Sequence, residues 1–118
     1  MDWVFQNDLP IYSQLVEQIR LAIVSGVLHP GERMQSVRDM AMEAGVNPNT
    51  LQRALQELER QGLVFSQRTT VRYVTEDIKV IEDSKRALAQ GQLAAFLAAM
   101  KQLGYERAEI IALLEEEA

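Results

Sequence analysis

Beyond Pro10, apolar residues recur at helical spacing (Tyr12, Leu15, Val16, Ile19, Ala22 and Ile23), and Gly26 follows where that stripe ends. The spacing predicts one amphipathic helix. Pro30 and Gly31 then mark a turn within VLHPGERMQ, which reads as a loop. Val37, Met40, Ala41 and Ala44 predict a short second helix, with Ser36 as its N-cap and Gly45 as its stop. Asn47 is placed to cap a third helix, and Pro48 fits the first helical position, where a missing N–H costs nothing. Leu51, Ala54, Leu55 and Leu58 form the buried stripe of that helix, which Gly62 ends.

Two helices joined by a short turn containing Gly45 have the spacing of a helix-turn-helix. Two β-prone runs follow, Leu63 to Ser66 and Thr70 to Val74, joined by a polar tip, and they predict a hairpin wing. From Glu76 the helical period returns and continues to about Leu103, with Ile78, Ile81, Leu88, Leu93, Phe96, Leu97 and Met100 as candidate buried positions. Gly104 is a stop. A last segment, Glu106 to Glu116, carries Ile110, Ile111, Leu113 and Leu114 on an apolar side and is expected to fold back as a hairpin partner. The expected class is mainly α with a small β-hairpin: a winged helix-turn-helix over residues 1–75, then a two-helix dimerisation hairpin over 76–118.

Composition narrows the function. With 118 residues the chain has room for one modest core and little space for an enclosed chamber. It contains 0 Cys, which removes disulfides, thiolate metal sites and cysteine nucleophiles. Residues 1–10 lack the pattern of a secretory signal, and Ala87 to Met100 is too short to span a bilayer, so a cytoplasmic protein is expected. The net charge of -5 argues at first sight against nucleic acid. Its distribution reverses that argument. Up to Thr75 there are 7 Arg and no Lys against 8 acids, whereas from Glu76 onward 5 cations face 9 acids, so the acidity lies mainly in the tail.

The exposed side of the third helix carries Asn49, Gln52, Arg53, Gln56 and Glu57. Asn and Gln can pair bidentately with adenine and Arg with guanine, and a helix N-terminus attracts phosphate. A plain solvated helix face would look similar. Arg38 lies off the core side of the second helix, where it could reach DNA or pair with Asp39 or Glu43. Arg68 and Arg72 flank the wing tip and could enter a minor groove, or could simply keep the strands soluble. His29 has no second His or Cys to complete a metal shell, Ser36 is explained as a cap, and no nucleophile–base pair or phosphate loop stands out. No enzyme, metal site or cofactor is expected.

The run from Pro10 to Val74, with PGER, SVRDMA, GVNPNT and ELERQGLV at fixed spacing, resembles the winged helix-turn-helix of the GntR family of bacterial transcription regulators. The short helical tail resembles the YtrA-type subfamily, whose members dimerise through two C-terminal helices. The resemblance implies that Arg38 contacts DNA and that Asn47, Asn49, Thr50, Gln52 and Arg53 lie at or near the groove. With Ser36 and the wing residues Arg68 and Arg72, these form the expected DNA-binding set. Two elements depart from the family pattern: Gln35 replaces a proline, and Thr69 and Val71 replace both wing glycines. A β-branched residue in the left-handed region costs about 1–2 kcal/mol, so the tip is expected to turn differently.

The tail is too small to be stable alone, and Ile81, Leu88, Leu93, Phe96, Leu97 and Met100 are expected to bury against a second subunit. The expected function is a homodimeric repressor that binds a pseudo-palindromic operator on double-stranded DNA. The alternative is a winged-helix protein-interaction module with weak or lost DNA binding. A small-molecule effector is compatible with the first reading and would need a pocket between wing domain and tail.

Overall fold

The computed structural model describes residues 1–68 and 71–117, and the chain divides into two compact units, 1–85 and 86–118. In the first unit, α1 (Ile11–Val24) leads to α2 (Val37–Ala44) and α3 (Pro48–Arg60). An antiparallel hairpin follows, β1 (Val64–Gln67) and β2 (Val71–Val74), in the register Val64↔Val74, Phe65↔Tyr73, Ser66↔Arg72 and Gln67↔Val71. Helix α4 (Ile78–Gln102) begins in the first unit, and its later part belongs to the second together with α5 (Arg107–Glu117). The expected winged helix-turn-helix is therefore present. Thr69 and the expected strand start at Thr70 lie outside the described residues.

Local chemistry fixes the helix ends as the sequence predicts. Ser36 Oγ accepts from the Asp39 N–H at 3.1 Å, and Asn47 Oδ1 accepts from the Asn49 N–H at 2.8 Å. Each cap contributes about 0.5–2 kcal/mol relative to alanine. Gly45 has φ +70, and the Val46 N–H returns to the Ala41 carbonyl at 3.0 Å, so α2 ends sharply and α3 can start in a new direction. That turn aims α3.

The core holds α3 by its apolar stripe. Leu51, Ala54, Leu55 and Leu58 pack with Leu15, Ile19 and Ile23 of α1, Met40 and Ala41 of α2, and Val64 and Val74 of the wing. Burying each Leu or Ile contributes roughly 1.5–3 kcal/mol, so the polar face of α3 is the one left outward. Ile81 also belongs to this core and is 6% exposed. Its expected place at a dimer interface is thereby corrected, since its own unit already buries it. The same contact carries the first unit to Lys85, past the expected limit at Thr75. Val80 packs beside Ile81, while Ile78, expected inside, is 56% exposed in the first turn of α4.

Two segments read as irregular are tied down. The loop after Pro30 lies antiparallel along the free edge of β2: the Gly31 N–H donates to the Val74 carbonyl, the Val74 N–H to Glu32, and the Met34 N–H to Arg72, all within 3.0 Å. Gly31 has φ +78, and a Cβ there would meet Glu76 Oε1 at 2.8 Å. Ahead of α1, the side-chain amides of Gln14 and Gln18 bond the backbone of Gln6 and Val4, and Trp3 and Phe5 pack on the core with their rings stacked. In the second unit, Gly104 follows α4, and Ile110 is buried and Leu113 half-buried, whereas Ile111 and Leu114 are exposed.

Candidate nucleic-acid interface

The first turns of α3 present Asn47, Asn49 and Arg53 exposed and Thr50 and Gln52 half-buried. Their chemical states differ. Asn47 already uses its Oδ1 as the helix cap, so its NH2 group is the part left for a ligand. The Arg53 guanidinium carbon sits 4.9 Å from the ring centroid of Tyr12, a half-buried residue packed on the core. Such a cation–π contact is worth about 0.5–1 kcal/mol at an exposed site and uses no N–H donor. Arg53 is thus held in place, and among the described residues no acceptor engages its donors. Tyr12, read in the sequence only as a core position, is the residue that holds it.

Arg38 is exposed at the second position of α2, and among the described residues it forms no ion pair with Asp39 or Glu43. The Glu43 carboxylate instead accepts from Gln35, which keeps its pKa below the ordinary value despite the opposing effect of desolvation. Ser36 spends its side-chain acceptor on capping α2.

The two wing arginines are placed very differently. Arg68 is exposed at the end of β1 and has φ +58, a left-handed conformation. The left-handed residue before the tip is thus Arg68, while Val71 lies within β2 and Thr69 is outside the described residues. Arg72 turns inward. Its Nε donates to Glu59 Oε1 at 2.7 Å and its Nη1 to Gln52 Oε1 at 3.3 Å, and its side chain is only 10% exposed. Ser66, the cross-strand partner of Arg72, donates its hydroxyl to the same Glu59 oxygen.

Glu59 therefore ties both strands of the wing to α3. It was not singled out in the sequence, where its only signal is a position seven residues after Gln52, on the same helix face. Burial raises the pKa of its carboxyl, but the hydrogen bonds from Ser66 and Arg72 and the charge of Arg72 outweigh this and hold it below the ordinary value. A depressed folded-state pKa stabilises fully above the unfolded value and is lost as pH falls through the folded one. Thermal stability is accordingly expected to fall on acidification below about pH 4, and Glu59→Gln should make that fall shallower. Identical melting profiles against pH for the variant and the parent protein would contradict the link.

A polar helix tip projecting from a helix-turn-helix and braced by a β-wing defines a DNA-binding transcription regulator. Comparison with known proteins agrees. The chain belongs to the GntR family of bacterial regulatory proteins, whose model matches residues 11–74, and it is of the YtrA type. It is 38% identical over 111 residues to the uncharacterized HTH-type transcriptional regulator YhcF of Bacillus subtilis, covering 94% of this chain and 92% of the relative. It is 32% identical over 98 residues to the HTH-type transcriptional repressor YtrA of the same organism, covering 83% and 71%. A GntR family regulator from Listeria monocytogenes superposes with a TM-score of 0.88 at 37% identity, over 95% of this chain and 98% of that one. AraR(DBD), solved in complex with an operator, matches 64% of this chain and 96% of its own length, with TM-score 0.57 and 26% identity. Among the described residues, no helix is long and apolar enough to cross a membrane.

Proposed function

We propose that this regulator is a cytoplasmic repressor and not an enzyme, and that it binds a pseudo-palindromic operator on double-stranded DNA as a homodimer. The observation that carries this reading is the tip of α3, capped, polar and outward, with Arg53 held on Tyr12 and its donors unspent among the described residues. Asn49, Gln52 and Arg53 supply base readout, while Arg38, Asn47, Thr50 and Ser36 line the same helix starts and support backbone contact. Half-sites about one helical turn apart, roughly 34–36 Å, suit two such tips. Repression follows when a bound dimer occludes a promoter.

The second unit supports the dimer. Leu93 and Phe96 are 55% and 40% exposed, Leu88, Leu97 and Met100 are half-buried, and further apolar side chains stand open at Leu103, Ile111 and Leu114. Apolar surface of that extent favours a second copy of the chain.

Selection from a random duplex library, followed by gel shifts at several salt concentrations, tests the reading. One enriched, two-fold symmetric sequence bound in a salt-dependent way is the expected result. Equal affinity for all duplexes at physiological salt defeats it, and retained dimerisation without DNA association would mark an interaction module instead. Arg68 is the wing residue free to meet phosphate, so Arg68→Ala should flatten the slope of log affinity against log salt by about one unit. An unchanged slope would remove the wing tip from the contact.

A further inference from the structure

We propose that Arg72 determines which bases Gln52 reads, by holding the amide oxygen of Gln52 toward itself so that only its NH2 group faces DNA; guanine is then selected over adenine. This inference rests on the DNA-binding role proposed above. Arg72 is fixed on three sides: its carbonyl accepts from the Met34 N–H at 2.9 Å, its Nε is paired with Glu59 at 2.7 Å, and its strand neighbour across the hairpin, Ser66, shares that carboxylate. Its Nη1 then reaches Gln52 Oε1 at 3.3 Å.

The direction of this contact is set by chemistry. A guanidinium has five donors and no acceptor, so the amide atom facing Arg72 has to be the oxygen, and the NH2 of Gln52 is turned away from it. Adenine is recognised by Gln through two bonds, the amide oxygen accepting from N6 and the NH2 donating to N7. With the oxygen turned toward Arg72 and away from the base, the first of these is lost and adenine keeps only the bond at N7. Donors alone match both major-groove acceptors of guanine, N7 and O6, against one on adenine. The arginine that looked in the sequence like a groove contact thus acts through its neighbour, as a positioning residue on the specificity of α3.

The test is duplex selection with the full chain, comparing the parent protein, Gln52→Ala and Arg72→Lys. Gln52→Ala marks the operator position that depends on Gln52, and the parent protein is expected to enrich guanine there. Lysine at position 72 can keep the ion pair with Glu59 but lacks the second arm of the fork. In that variant adenine should rise at the marked position by roughly 5- to 150-fold, the weight of one bidentate pair, with other positions unchanged. Arg72→Met, which removes every donor, should shift the same position in the same direction and serves if the lysine variant does not fold. Adenine already preferred by the parent protein overturns the assignment, as does a preference unchanged in both variants or a uniform loss across all positions. A library from which the parent protein enriches no sequence overturns the DNA-binding role itself and this inference with it.

Discussion

Leu93→Asp combined with Phe96→Asp is expected to yield monomers and to weaken operator binding by about 10²- to 10⁴-fold, the range lost when two linked contacts become independent. Both side chains are open to solvent in the single chain, so charge there removes no intrachain core contact. Carboxylates facing one another across a two-fold axis would repel and would also be stripped of water. Sedimentation velocity reads the oligomeric state, gel shift reads the affinity, and circular dichroism shows that helicity is kept. A variant that sediments as the parent protein does would place the dimer contact elsewhere.

The second large effect is on stability. Leu55 is 1% exposed in α3, packed in the core that holds the reading helix. Leu55→Ala removes buried methyl groups and leaves a cavity, at a cost of about 2–5 kcal/mol. For a domain of this size that lowers the melting temperature by roughly 8–40 °C, at about 4–8 °C per kcal/mol. Total stability of small domains is only about 5–15 kcal/mol, so DNA binding should fade at growth temperature. Gln52→Ala on the same helix is the control: it should change sequence choice with little movement of the melting temperature. Equal melting temperatures for Leu55→Ala and the parent protein would show that α3 is not held by this stripe.

How much of this could be read in the chain depends on the reach of each interaction. Helix ends were legible because their causes lie within a few residues: Ser36 with Asp39, Asn47 with Asn49, Gly45 with Val46. The apolar stripe of α3 was legible for the same reason. Contacts between distant residues were not. Pro30 and Gly31 signalled a turn, and nothing nearby shows that residues 31–34 complete the edge of β2. The amides of Gln14 and Gln18 look like ordinary exposed helix positions until the segment around Val4 and Gln6 lies against them. Ile81 and Phe96 share one helical period, and only the position of the first core separates a residue buried by its own unit from one left open. Arg68 and Arg72 look equivalent on either side of the wing tip; Glu59, on another element, distinguishes them.

The left-handed backbone at Arg68 sets two selective pressures against each other. A side chain held at φ +58 costs about 1 kcal/mol that glycine would not incur, yet glycine would discard the one wing cation turned toward solvent. Directed evolution scored on heat resistance alone should therefore drift toward glycine at this codon and erode operator occupancy, whereas a screen scored on repression in living cells should retain the strained arginine.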